Sequence, residues 1–145
     1  MEEKTEFIGI SDDRLRHMLA VAKQCYKFAK EDGLPEEKAR SLFTIGFCHD
    51  IGYEFSKDAD NHNIVGHQMI KNAFQYSCQE ILQHGKPYDP AKWKELEILN
   101  KADMTVSPQG KIVPYQQRLE EIKIRYGEQS LQYQNCKQMC DILFS

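Results

Sequence analysis

The chain has 145 residues, 41% apolar and 28% charged, with a formal net charge of −3. That length suits one domain over residues 1–145 with a sizeable buried core, and the slight acidic excess excludes a protein that holds a nucleic-acid polymer by bulk positive charge. The acidic first residues, Met1-Glu-Glu-Lys-Thr-Glu6, lead into no apolar region, and no apolar run approaches membrane-spanning length, so the expectation is a chain without signal or transit peptide and without a membrane partner.

Ser11-Asp12-Asp13 has helix N-cap chemistry. Leu15, Met18, Leu19, Ala22, Cys25, Tyr26 and Ala29 follow at spacings of three and four, which predicts an amphipathic helix over 11–31. His17 lies beside that stripe, next in phase to Val21 and Gln24, at the edge of the buried face. Gly33 ends the helix, and Pro35 opens a second over about 35–50. In that helix Ala39, Leu42, Phe43, Gly46, His49 and Asp50 stay in phase, so the last two continue a core-facing stripe. Gly52 permits a turn, and residues 56–61 read as a polar loop.

From His62 to about Gln83 the recurrence of Ile64, Val65, Met69, Ile70, Ala73, Phe74, Ile81 and Leu82 predicts helix, with a break near Ser77-Cys78. His84-Gly85-Lys86-Pro87 interrupts the pattern, and Asp89-Pro90 begins a helix that covers Trp93, Leu96, Ile98, Leu99, Ala102 and Asp103. Pro108-Gln109-Gly110 marks a loop before a charged helix from Gln116 to Tyr126. Gly127 separates this from a last amphipathic helix with Leu131, Cys136, Met139, Ile142 and Leu143. Neither repeats nor strand-like alternation occurs, so the expected fold class is all-α, with about six to seven helices.

Two polar residues stand out in the run Leu42-Phe-Thr-Ile-Gly-Phe-Cys-His-Asp-Ile-Gly-Tyr53. Imidazole and carboxylate are costly to bury unpaired, so His49 and Asp50 at the end of a core-like helix need a partner, and a divalent metal is the one their chemistry fits. His17, His62, His84 and Asp103 also sit where helices begin or end, a dispersion that suits a site inside a helical bundle. Each histidine alone is more often a hydrogen-bonded core residue, and Asp103 alone could be a helix C-terminal or capping residue; their joint order carries the weight. The five cysteines are odd in number and scattered, which points to reduced thiols in the cytoplasm. Cys136 and Cys140 are one helical turn apart but lack a second pair to complete a zinc site.

The order of these residues resembles the HD-domain superfamily of metal-dependent phosphohydrolases. Arg16-His17-Met-Leu-Ala-Val-Ala22 resembles its first-helix histidine, Cys48-His49-Asp50-Ile-Gly-Tyr53 its signature, and His62-Asn-Ile-Val-Gly66 its histidine-glycine segment. Gln83-His84-Gly85 resembles its next histidine and Lys101-Ala102-Asp103-Met104 its terminal Ala-Asp. The similarity covers about residues 14–104, and the presence of both intermediate histidines is similar to the dinuclear subset, as in symmetrical dinucleoside polyphosphate hydrolases. It implies an all-α HD-type bundle in which His17, His49, Asp50 and Asp103 hold one metal, while Asp50 bridges to a second held by His62 and His84. It also implies His49 and Asp50 as the catalytic pair, and a metal-activated water that attacks a phosphoester or phosphoanhydride of a nucleotide or related small molecule. Nitrogen and oxygen donors without cysteine suit Fe, Mn, Co, Ni or Zn.

His67, five residues after His62, does not share its helix face well, and His62 is the favoured ligand. Lys57, Lys86 and Lys101 neighbour motif residues, and Arg118 and Arg125 could fold back as anion donors, although each also reads as an ordinary surface charge. Tyr53 reads as a core residue or as part of the site's mouth. Glycine-rich phosphate loops and nucleophile elbows are missing. Gly52-Tyr53-Glu54 departs from the additional Gly-Tyr-Pro motif of HD-type cyclic-dinucleotide phosphodiesterases, and Ile51-Gly52-Tyr53 departs from the acidic pair of alarmone hydrolases. The alternatives are a non-catalytic metal- or nucleotide-binding HD module and a helical interaction domain with structural histidines.

Overall fold

Ser11 caps the first helix as its position predicts: its Oγ accepts from the Arg14 backbone N–H at 3.1 Å, and α1 (Asp12–Glu31) runs on from it. The computed structural model describes residues 8–57, 61–74, 79–89 and 93–145, with backbone alone at 72–74. After α1 come α2 (Glu36–Cys48), a 3₁₀ turn (Ile51–Glu54), α3 (His62–Phe74), α4 (Gln79–Gln83), α5 (Lys94–Asp103), α6 (Tyr115–Tyr126) and α7 (Leu131–Leu143). The fold is all-α; the described residues form no strand, only one isolated bridge between Val106 and Ile112. No helix among them is long and apolar enough to cross a membrane.

Several boundaries differ from the sequence expectation. The second helix stops at Cys48 rather than Asp50, because the chain must turn there to bring Gly52 against α3. A Cβ at Gly52 would lie 1.9 Å from the His62 carbonyl oxygen and 2.7 Å from the Gly66 nitrogen, an approach that only glycine allows. The helix expected from His62 to Gln83 is two helices, α3 and α4; the expected break at Ser77-Cys78 lies outside the described residues. α5 starts at Lys94, and the Pro90 start expected for it also lies outside them.

The buried faces are rotated relative to the apolar stripes. α1 packs on both α2 and α5, so the row His17, Val21 and Gln24 is buried rather than marginal, while Leu19 is 41% exposed. Likewise α3 turns His62, Asn63, Gly66 and Ile70 inward and leaves Ile64 exposed. At the α1–α2 contact, a Cβ on Gly46 would stand 2.8 Å from Cys25 Sγ and 3.1 Å from Ala22 Cα. This close seating brings the ends of α1 and α2 that carry His17 and His49 together.

Two apolar clusters result. Val21, Cys25, Leu42, Ile70, Ile81, Leu99 and Ala102 belong to the first, formed by α1 to α5. Met104, Ile122, Tyr133 and Met139 belong to the second, under α6 and α7, where Tyr115 stacks on Phe144 with ring centroids 4.0 Å apart. Asp103 lies in sequence between Ala102 of one cluster and Met104 of the other. The seam between the clusters is therefore where its carboxylate emerges.

Candidate metal centre

Backbone carbonyls set the orientation of three histidines. A carbonyl oxygen can only accept, so the ring nitrogen facing it must donate. His17 Nδ1–H donates to Ser107 O at 2.9 Å, His49 Nδ1–H to Gly46 O at 2.6 Å, and His84 Nδ1–H to Ile81 O at 2.6 Å. With Nδ1 committed to a carbonyl, each ring turns its Nε2 to the interior, the arrangement that second-shell bonds impose on metal-binding histidines. His62 is fixed by stacking on Tyr53, with ring centroids 4.1 Å apart.

These nitrogens converge on two carboxylates. Asp50 Oδ2 lies 3.6 Å from His17 Nε2 and 3.3 Å from His49 Nε2, while Asp50 Oδ1 lies 3.2 Å from His62 Nε2 and 3.5 Å from His84 Nε2. Asp103 Oδ1 stands 3.0 Å from His17 Nε2 and 3.3 Å from His49 Nε2. All six residues are buried. His17, His49 and Asp50 place donor atoms within 4.8 Å of one another, as do Asp50, His62 and His84, and also His49, His84 and Asp103.

Charge balance shows what the cluster needs. Burial raises the carboxyl pKa values of Asp50 and Asp103, but the charge of His49 and the hydrogen bonds from the surrounding histidines together outweigh it and hold both well below the usual range. Burial lowers the His49 pKa, and the two carboxylates outweigh that in turn and raise it to about 10. Burial lowers the His84 pKa. Two features are unresolved by protein groups alone: His49 Nε2 is buried with no well-formed hydrogen bond among the described residues, and His62 Nε2 faces His84 Nε2 at 3.2 Å. Two ring nitrogens at that distance need a proton or a cation between them. Nitrogen and carboxylate donors so placed fit a divalent transition metal.

A family model described as HD domain matches residues 14–136. The chain belongs to the HD domain family. No curated protein and no solved structure gives a significant match to it. HD domains are generally metal-dependent hydrolases that bind divalent metals, and this HD domain has buried His and Asp groups that could hold one. The family match runs past Asp103 through α6 and into α7, well beyond residue 104 where the sequence similarity ends.

A cavity of about 250 Å³ opens onto the cluster. Asp50, His62, His84 and Asp103 reach it, whereas His17 and His49 lie behind them and do not line it. Tyr53, open between two readings on sequence, lines the cavity. Of the basic residues singled out, Lys86, Arg118 and Arg125 reach the cavity; Lys57 is exposed elsewhere, and Lys101 Nζ stands 4.9 Å from the Phe28 ring. His67 lies outside the cluster beside the Gln79 amide, at 3.4 Å.

Three site residues escape a reading of the sequence. Arg14 Nη1 donates to Asp50 Oδ2 at 3.0 Å and its guanidinium lies 3.7 Å from the Tyr53 ring centroid. Its signal was position, one turn before His17 on the same helix. Asn63 Nδ2 donates to Leu82 O and His84 O, both at 3.0 Å, and Asn100 Oδ1 accepts from Gly85 N at 2.9 Å. Together these amides hold the chain on both sides of His84.

Proposed function

We propose that this HD domain is a metal-dependent phosphohydrolase acting on a phosphoester or phosphoanhydride of a nucleotide or related small molecule. The observation that carries the reading is Asp50, whose two oxygens divide between two histidine sets while the residue also reaches the cavity. His17, His49, Asp50 and Asp103 would hold one cation, with Asp50 shared toward a second held by His62 and His84. Bound there, Fe, Mn, Co, Ni or Zn supplies Lewis acidity and lowers the pKa of water.

The chain's own residues do the rest. The Nδ1 bonds of His17, His49 and His84 keep their Nε2 atoms aimed inward, and Asn63 and Asn100 fix the segment that carries His84. Arg14 holds Asp50 on the cavity side and keeps positive charge where a phosphoryl oxygen would arrive. A cavity of about 250 Å³ lies below the range of roughly 300–1,000 Å³ usual for drug-sized ligands, which supports a small substrate over a polymer. The thiols of Cys25, Cys136 and Cys140, outside any disulfide, support a reducing, cytoplasmic setting.

The test is phosphate release by the purified full chain, loaded with Mn or Fe, from a panel of phosphomonoesters, phosphodiesters and nucleoside polyphosphates. Metal content is measured in parallel by mass spectrometry. Hydrolysis that His49→Ala abolishes is the expected outcome. Bound metal without turnover would identify a non-catalytic binding module instead, and wild type and His49→Ala alike in having neither metal nor turnover would defeat the reading altogether.

A further inference from the structure

Arg118 is the charged group that the ligand cluster does not use. It lies on α6, in a helix whose neighbours Gln116, Gln117 and Glu120 are exposed, yet its own side chain is only 11% exposed. Burying a guanidinium is costly unless its donors are met. Glu121 Oε2 accepts from Nη1 at 2.6 Å, but Nε is buried without a partner among the described residues, and Nη2 comes no nearer to Asp103 Oδ1 than 3.9 Å, beyond hydrogen-bond reach.

The arginine is also held in place. Glu121 pairs through its other oxygen with Arg125, so one carboxylate steadies both cations from the side of α6. Arg118 and Arg14 line the same cavity, each beside one of the two aspartates: Arg14 at Asp50 and Arg118 at Asp103. If metals take up the carboxylate charge, these two guanidiniums remain as fixed donors with spare hydrogen-bonding capacity. A tetrahedral oxyanion is the ligand that such planar forks suit. Farther along the wall, Ile122 and Tyr126 of α6 and Leu131 and Asn135 of α7 present apolar and amide surface.

We propose that α6 and α7 form the substrate-recognition wall of this HD domain, with Arg118 binding the phosphoryl group and Tyr126 and Asn135 contacting the organic group attached to it. The proposal rests on the phosphohydrolase reading of the same site. Its substrate class is a small phosphate ester with one compact head group, bound phosphate-inward toward Asp103.

The experiment titrates inorganic phosphate into the metal-loaded full chain by calorimetry, which needs no turnover. Arg118→Ala is expected to weaken phosphate binding about tenfold to a hundredfold, the loss of a charge-assisted contact, with metal content unchanged. Arg118→Lys is expected to recover part of it, and Lys57→Ala to behave as wild type. Asn135→Ala should leave inorganic phosphate binding unaltered and raise KM selectively for the ester the wild type prefers. Phosphate binding equal in wild type and Arg118→Ala, or absent in wild type, overturns the assignment. Hydrolysis by wild type alongside unaltered Arg118→Ala would overturn it while sparing the phosphohydrolase reading; phosphate binding that depends on Arg118 without any hydrolysis would do the reverse.

Discussion

Gly52→Ala is the substitution that most directly tests how the second histidine set is positioned. The added Cβ would meet the His62 carbonyl oxygen at 1.9 Å, the Gly66 nitrogen at 2.7 Å and the His62 carbonyl carbon at 2.8 Å. All three are backbone atoms, so no rotamer change relieves the collision and α3 must move as a body, taking His62 with it. Overpacking a core typically costs roughly 1–3 kcal/mol, and a backbone-to-backbone collision belongs at the upper end. At roughly 3 °C per kcal/mol for a chain of this length, the expected loss is about 10 °C in Tm. Gly66→Ala is the milder companion, since its Cβ would stand 3.1 Å from the Gly52 nitrogen and 3.5 Å from Ile81 Cγ2. Gly33→Ala is the control: nothing lies within 4 Å of its Cβ and its cost comes from φ +80° alone, about 1–2 kcal/mol. Thermal denaturation of the chelated proteins and metal content of the loaded ones are the assays. Gly52→Ala and Gly66→Ala should lose metal at the His62–His84 side in that order, while Gly33→Ala loses stability only. Wild-type Tm and full metal content in Gly52→Ala would refute the packing account, and metal loss in Gly33→Ala would show that general destabilisation explains the rest.

Asp50→Asn should remove all bound metal, whereas His62→Ala or His84→Ala should spare the set built on His17, His49 and Asp103; equal loss in all three variants, read by mass spectrometry, counts against two ions. Because Asp50 and Asp103 raise the His49 pKa to about 10 against the effect of burial, the chelated protein carries a proton there at neutral pH. Metal binding must expel it, so calorimetry in buffers of different ionisation enthalpy should register proton release, and affinity should rise with pH. The same groups set the pH profile of the chelated fold. The raised His49 pKa contributes stability that is full below its ordinary 6.5 and lost as pH rises through about 10, and the lowered Asp50 and Asp103 contribute stability present above their ordinary 3.8 and lost as pH falls through their folded values. Urea denaturation should therefore find His49→Gln closing its stability gap to wild type between pH 7 and 10; a constant gap would contradict the assignment.

The C-terminal helices alter what kind of site this is. Without α6 and α7 the ligand cluster would face open solvent on the side of Asp103; with them it faces a cavity to which the two helices contribute Arg118, Arg125, Gln132 and Asn135. Arg118 and Arg125 read on sequence as either anion donors or members of a solvated charged helix, and the helix has both kinds of position. Ile124 is 77% exposed while the Arg118 side chain, six residues earlier, is 11% exposed and turned toward Glu121 and the cavity. Composition along α6 therefore misreports its inner face.

The sequence by itself determined the helical architecture, because apolar spacing reports helices, and it named His17, His49, Asp50, His62, His84 and Asp103 as candidates through their joint order, since each alone has an ordinary structural use. It also marked Gly52 as a turn, but that the residue must be glycine was decided by the close approach of the His62 carbonyl oxygen. What it left undecided were directions. Which side of α1 is covered depends on α2 and α5 together, and that rotated His17 fully inward and Leu19 out; the same applies to His62 and Ile64 on α3. Arg14, Asn63 and Arg118 gain their roles from partners distant in the chain, as His17 does from Asp103, 86 residues away. A local pattern records how a helix can be amphipathic, and only the packing of helices from both ends of the chain selects the face that meets the site.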